Sequence, residues 1–411
     1  MLSRIRLLEE IRQKLSEGEN ELKKRLLFVI PTLRMGGAER SIVALLKSLD
    51  EEKVEADLFL FEGGGVLQKE VPAWVNIIES DIVSRAMILE LRYYLKDLFK
   101  SGHIFLGVFR FLLTVRARIS KRKYFNWKNI KNYFQNVKGH YDVAIGYLEG
   151  NTDFFVIDKV DADKKIGWIH TDMSKRKILL EEIEYYKKFD QLVTISEACE
   201  QSFVQIIPEI SDKIKVIENI VIPEEIYQKA EEFEIQKDDT RRIQIVSIGR
   251  LEYEKGIDIA ARAAKILADR NVQFCWHIYG EGTMEKDIQH IIDENGLGDC
   301  FVLEGQKNNP YPYMKMADIL VQPSRNEGKS IVLDEAKILG KAIVVTKYSS
   351  VFDQIVDNET GIIVDISAEG IAGGIEKLIA DDDLRSKIEC NSEKEINDSV
   401  KTVDKFYDII L

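Results

Sequence analysis

The sequence predicts an α/β protein built from two doubly wound domains, and three observations carry that prediction. Short apolar runs recur along the chain, at 26–30, 56–61, 142–147, 165–169, 192–195, 243–248, 274–279, 319–321 and 342–346, with helical or irregular stretches between them. Strands alternating with helices imply a parallel sheet covered on both faces. Several runs also lead into glycine-bearing polar loops, PTLRMGG after the first and GRLEYEKG after 243–248. Finally, 411 residues suit two domains, each large enough for its own core.

Composition narrows the function. With 58 basic and 70 acidic residues the net charge is −12, which argues against a general nucleic-acid binder. Cys199, Cys275, Cys300 and Cys390 show neither pairing nor ligand spacing, and no signal-peptide core opens the chain, so a reducing cytoplasm is expected. Five His residues without a His/Cys/Asp cluster predict no protein-held metal. No apolar run approaches the ~20 residues that span a bilayer.

Taken in order, the first 24 residues form a charged amphipathic segment with Leu8, Ile11 and Leu15 at helical spacing, expected to pack as an extra helix on the first domain. In the loop after 26–30, Gly36 and Gly37 let backbone approach a ligand and free the next helix N-terminus for an anion, although a lone Gly-Gly turn is weak evidence. His170, in WIHTDMS, follows a strand at its carboxyl end, where doubly wound folds keep ligands. A His that merely caps the strand is the plain alternative. Ser196 caps the helix after 192–195. The charged run 224–241 reads as the linker, placing an N-terminal domain over 1–225 and a second over 236–394. Arg250 and Lys255, five apart between Gly249 and Gly256, flank one loop mouth and can bracket a diphosphate, with a surface charge pair as the bland reading.

The densest signal is QPSRNEGKSIVLDEAKILGKAIVVT, residues 322–346. A strand passes through a polar loop into a helix capped by Ser330, with Gly340 just past its end. Free N–H groups at Ser330 and Ile331 at the carboxyl end of a parallel strand suit a ligand phosphate. Glu327 would lie beside whatever that phosphate carries, and Glu335, further along, can accept from a diol such as a ribose. Both as solvent-facing residues is the alternative, since acid pairs are common.

The pattern Pro323, Ser324, Glu327, Gly328, Ser330, Glu335, Ala336 resembles the Glu-x7-Glu signature of retaining GT-B nucleotide-sugar glycosyltransferases of the group 1, or family 4, type that build bacterial surface polysaccharide. The resemblance covers most of the chain and is strongest over 243–365. It implies two Rossmann-like domains facing across a cleft, with a C-terminal helix at 395–411 returning to the first. It assigns Glu327 to the donor sugar, Glu335 to the nucleotide ribose, and Arg250 with Lys255 to the diphosphate. It also sets Gly36 and Gly37 against phosphates and acceptor, His170 in the sugar pocket, and the loop at Gln306 under the base through backbone. One departure is Lys329, where the family often has an aromatic residue; its side chain would lie near the sugar.

The expectation is therefore transfer of a sugar, with retention, from a nucleotide-diphosphate sugar such as a UDP-sugar to a saccharide hydroxyl. No nucleophile is evident, so the resemblance implies a front-face route without cofactor or metal, in which the leaving diphosphate helps deprotonate the acceptor. Other GT-B chemistries, epimerase or phosphorylase, and a catalytically silent partner of the same fold are the alternatives. The first would need an added acid/base pair, the second a cofactor lysine, and the third should have lost the clamp or a carboxylate.

Residues 85–140 carry thirteen Lys or Arg against Glu90 and Asp97, a local +11 that leaves −23 for the remainder. These cations are interleaved with Phe105, Phe109, Phe111, Phe125, Trp127 and Tyr133. Such a patch suits an anionic membrane surface, so peripheral attachment to the inner face of a bacterial membrane and a lipid-linked acceptor are expected. Core helices with basic outer faces are the alternative.

Overall fold

The computed structural model describes residues 23–88, 104–119, 127–175, 178–235, 242–394 and 399–411. But for Lys23 and Lys24, the segment expected to form an N-terminal helix lies outside them, as do Lys121, Arg122 and Lys123 of the basic stretch.

Two sheets organise the chain. The first holds β1 (Lys24–Ile30), β2 (Val54–Leu60), β3 (Asn76–Glu79), β4 (His140–Gly146), β5 (Asp161–Ile169), β6 (Gln191–Thr194) and β7 (Ile214–Val216), in the order β3-β2-β1-β4-β5-β6-β7. β1 pairs in parallel with both β2 and β4, which makes the β1/β4 boundary the point where strand order reverses. β3 was not foreseen: its four residues, NIIE, sit at the sheet edge and bury too little to leave a pattern.

The second sheet holds β8 (Ile243–Ile248), β9 (Phe274–Tyr279), β10 (Phe301–Gly305), β11 (Ile319–Gln322), β12 (Ala342–Thr346) and β13 (Ile362–Val364), in the order β10-β9-β8-β11-β12-β13. All its neighbours are parallel. Alternation along β9 separates its two faces. Trp276 and Ile278 pack with Ala260, Ala264, Ile371 and Ile375, whereas Tyr279 packs with Met314, Leu333 and Ala336. Strand order reverses between β8 and β11, where a doubly wound sheet opens its ligand crevice.

The linker reading of 224–241 needs correction. Pro223–Ala230 is a helix, with Pro at its start and Glu224 and Glu225 in its first turn. Ile226 and Ala230, one turn apart, are buried with Tyr311 and Ile338. High charge hid a helix that needs only two apolar anchors. At the far end, Ser399–Ile410 is helical and the Phe406 ring lies 6.1 Å from that of Trp168; residues 395–398 of the expected helix are outside the described residues.

The chain divides into two compact units, one containing β1 to β4, the other containing residues 34–44 together with 168–409. Every residue singled out above for nucleotide or sugar falls in the second. Within the first, Ile104–Ile119 is a helix with its apolar side outward: Phe105 is 93% exposed, and Val108, Phe111, Leu112 and Val115 are exposed as well. Arg110 is buried instead, its Nε donating to the carbonyl of Ala86 at 2.8 Å.

Candidate active site

Two loops meet where the second sheet reverses. After β8 the chain makes a short 3-10 turn at Tyr253–Lys255 and leaves through Gly256 at φ +67°. A Cβ at Gly256 would stand 1.9 Å from the Pro323 carbonyl oxygen, so only glycine allows this approach. Arg325, in the loop after β11, locks the contact. Its guanidinium binds both Asp258 oxygens at 2.7 Å, donates to the Tyr253 carbonyl at 2.6 Å and lies over the Tyr253 ring, while its N–H donates to the Glu254 carbonyl at 2.7 Å.

The lock brings Lys255 to Glu327. Lys255 Nζ donates to Oε1 and Oε2 at 2.7 and 2.8 Å, and Ser324 Oγ and Gln322 Nε2 add bonds to Oε1 at 2.7 and 3.1 Å. Glu327 is 10% exposed along its side chain, so it is a held carboxylate and not a solvated loop residue.

The Ile331–Ile338 helix begins at Ser330 as expected, but Ser330 does not cap it by side chain. Its hydroxyl donates to Gln322 Oε1 at 2.7 Å, and its N–H donates to Gln354 Oε1 at 2.7 Å. Gln354 Nε2 returns bonds to the Ser330 carbonyl and to Asp334. Neighbouring Lys329 pairs with Glu218 at 2.8 Å, its side chain 4% exposed. The residue expected beside the sugar is thus tied to the segment after β7.

Glu335 is only 1% exposed. Its Oε1 takes bonds from Arg40 and from the Tyr311 hydroxyl, the latter at 2.9 Å. Burial pushes the Glu335 carboxyl above its ordinary range, Asp334 adds to this, and Arg40 and Tyr311 oppose it. Burial likewise works against the charge on Arg40, yet Glu335 and Tyr311 together more than restore it. Beside this pair, burial raises Glu39 against the pull of Arg250, Arg40 and Arg34. Arg250 itself is exposed.

The other predicted residues distribute as follows. Gly37 opens the Gly37–Ser48 helix, where a Cβ would lie 3.8 Å from Ile331 Cδ1. The His170 ring stacks on Trp168, centroids 6.4 Å apart, and its carbonyl oxygen would stand 2.1 Å from a Cβ on Gly328. Ser196 Oγ donates to the Gly328 carbonyl at 2.9 Å, fixing the same turn. Gln306 is exposed just beyond β10. Arg40 and Tyr311 were missed. Arg40 stands in GGAER, three residues past Gly37, and a cation one turn into a helix behind a glycine loop was the available signal; Tyr311 offered none. Among the described residues no group of three or more His, Cys, Asp and Glu could hold a metal ion, and no helix is long and apolar enough to cross a membrane.

Two sheets of this order, with ligand-type side chains gathered at a reversal point, define a GT-B fold. The same fold occurs in Anabaena HepE solved with UDP and glucose, at TM-score 0.67 and 16% identity over 94% of this chain and 99% of that one. Residues 228–395 match the family model described as Glycosyl transferases group 1. Similar curated proteins include an uncharacterized glycosyltransferase of Methanocaldococcus jannaschii, 28% identical over 56% of this chain and 61% of its own length. Another is a Campylobacter jejuni N-acetylgalactosamine-N,N'-diacetylbacillosaminyl-diphospho-undecaprenol 4-alpha-N-acetylgalactosaminyltransferase, 30% identical over 49% and 53%. The chain thus spans about half the length of the curated relatives it matches.

Proposed function

We propose that this protein is a retaining glycosyltransferase that moves a sugar from a nucleotide-diphosphate sugar, a UDP-sugar by preference, to a hydroxyl of a saccharide acceptor in cell-surface polysaccharide assembly. The observation that carries the reading is the Lys255–Glu327 pair at the reversal point of the second sheet. One cation and one carboxylate, fixed on adjacent loops, suit a ligand with an anionic half and a hydroxylated half. Lys255 and Arg250 take the diphosphate and stabilise the charge that develops on it as the glycosidic bond breaks. Glu327 accepts from sugar hydroxyls, and Glu335 from the ribose. The leaving diphosphate oxygen removes the acceptor proton, so no protein nucleophile is needed. Because Gln354 already holds the Ser330 N–H, an anion at this helix start must displace Gln354 or use the amides beyond it. HepE was solved with UDP and glucose, which favours a uridine donor here.

The acceptor we assign is lipid-linked. The Campylobacter relative is named for a diphospho-undecaprenol substrate, and the outward apolar face of Ile104–Ile119 within the basic 85–140 stretch suits an anionic bilayer. Thermal-shift and saturation-transfer NMR screening against UDP-, GDP-, ADP- and dTDP-sugars tests the donor. A UDP-sugar should give the largest stabilisation, and a protein indifferent to the whole panel is not a nucleotide-sugar enzyme.

A further inference from the structure

The loop that carries Arg250 and Lys255 is gripped from two sides, and the two grips differ. On the β9 side Thr283 donates to the Glu252 carboxylate through its N–H at 3.1 Å and its hydroxyl at 2.6 Å, and the Leu251 N–H donates to the Glu281 carbonyl at 2.9 Å. On the β11 side the hold comes from Arg325. It bonds the Tyr253 carbonyl and both oxygens of Asp258, two residues before Lys255 and three after it, and it stands two residues before Glu327. One guanidinium thus touches the chain on both sides of the cation and is itself rooted beside the carboxylate. Arg325 and Asp258 are 21% and 14% exposed along their side chains, so solvent weakens the bridge little. A bidentate guanidinium–carboxylate contact fixes orientation as well as distance. A lysine has no such fork, and its direction follows from where its backbone stands.

We propose that Arg325 and Asp258 are positioning residues for the Lys255–Glu327 pair: their bridge sets the backbone around Lys255 against the backbone leading to Glu327, so that cation and carboxylate meet in one fixed geometry before any ligand arrives. Arg325 and Asp258 act through Lys255 and need not touch a ligand themselves. When an anion draws Lys255 off Glu327 the bridge stays made, so the exchange is a movement of one side chain and not of two loops. The Glu252–Thr283 grip, on the Arg250 side of the same loop, has no part in this. The consequence for donor binding rests on the nucleotide-sugar reading above; the positioning itself does not.

The test that needs no ligand is amine labelling of the full chain with acetic anhydride, following Lys255 by mass spectrometry against Lys265, which pairs with Asp269 on the neighbouring helix, as internal reference. Arg325→Met and Asp258→Asn should each raise the Lys255 to Lys265 ratio severalfold, and the double variant should add little to either. Arg325→Lys keeps the charge and loses the fork, so it should behave as Arg325→Met does. Thr283→Val cuts the other grip and should leave the ratio near the wild-type value. Calorimetric titration with UDP gives the second reading: Lys255→Met should weaken binding roughly tenfold or more in the wild type, the size expected for one charge-assisted bond, and hardly at all on top of Arg325→Met. A bridge that only stabilised the fold would lower the melting temperature and leave both readings unmoved. An unchanged ratio in both bridge variants, full recovery in Arg325→Lys, or an equal rise in Thr283→Val overturns this inference and leaves the nucleotide reading standing. Faster labelling of Lys255 in a protein that binds none of UDP, GDP and ADP upholds the positioning and overturns the nucleotide reading instead.

Discussion

Lys255 Nζ sits 2.7 and 2.8 Å from the two oxygens of Glu327, bridging loops that follow strands adjacent in the sheet but far apart in the chain. The cation assigned to the diphosphate is therefore neutralised by the carboxylate assigned to the sugar until a donor arrives. Truncating one member leaves the other partly buried and unpaired, so the two should be strongly non-additive. Lys255→Met and Glu327→Gln, alone and combined, should give a coupling of about 1–3 kcal/mol in kcat/KM. Additive losses would separate the residues functionally.

Arg250 is exposed and shares its field with Glu39. Arg250→Ala should cost about 2–4 kcal/mol of transition-state stabilisation with an unchanged circular dichroism spectrum. Unaltered turnover would remove Arg250 from the clamp.

The two carboxylates should respond differently to the same isosteric change. Glu335→Gln should mainly weaken nucleotide binding, and Glu327→Gln should lower the rate while UDP affinity stays near the wild-type value. Steady-state kinetics combined with titration of UDP separates these outcomes, and the opposite pattern would exchange the roles.

Most of the strands could be read from the chain because each is an apolar run bounded by glycine or polar loops, β8 and β11 above all. The positions of Glu327 and Glu335 in loop and helix were equally readable, since strand, loop and helix follow one another within 319–338. What could not be read was who holds them. Arg40 lies 295 residues from Glu335 and Tyr311 lies 24 away, and neither spacing leaves a periodic trace. Lys329 was expected near the sugar from its place in the motif; its partner Glu218 is one that no local pattern links to it. The Pro223–Ala230 helix was hidden by its charge.

Stability should depend on pH through His277. Cys275 and Glu304 outweigh burial and raise its imidazole to about 9, Nδ1 lying 2.9 Å from Glu304. The folded value is above the ordinary 6.5, so the charged ring stabilises the fold fully below about 6.5, and that contribution is lost as pH rises through about 9. The melting temperature should fall by a few degrees across that window, on the order of what one such interaction shifts. His277→Gln should flatten the decline; an unchanged slope would assign it elsewhere.

The proposed attachment to membrane can be tested apart from catalysis on the Ile104–Ile119 helix. Phe105 and Phe111 face outward, so Phe105→Ser with Phe111→Ser should reduce flotation with anionic liposomes while leaving turnover on a soluble acceptor unchanged. Binding should also fall with salt, each cation near the surface contributing on the order of 1 kcal/mol. A wild-type protein that ignores anionic vesicles at low salt would make a soluble acceptor the better assignment.

The order β10-β9-β8-β11-β12-β13 has a consequence for synthesis. A ribosome delivers β8, β9 and β10 first, and these pair outward from β8 in one direction only. The other edge of β8, beside the turn that carries Lys255, stays unpaired until Ile319 has emerged. Neither the Gly256–Pro323 approach nor the Arg325–Asp258 bridge can form earlier, so the Lys255–Glu327 pair is assembled in a single late step. A fragment ending before β11 would hold a half-sheet with an open, apolar edge, a surface prone to association. Nascent chains of this protein should therefore be most dependent on chaperones during the interval between β10 and β11.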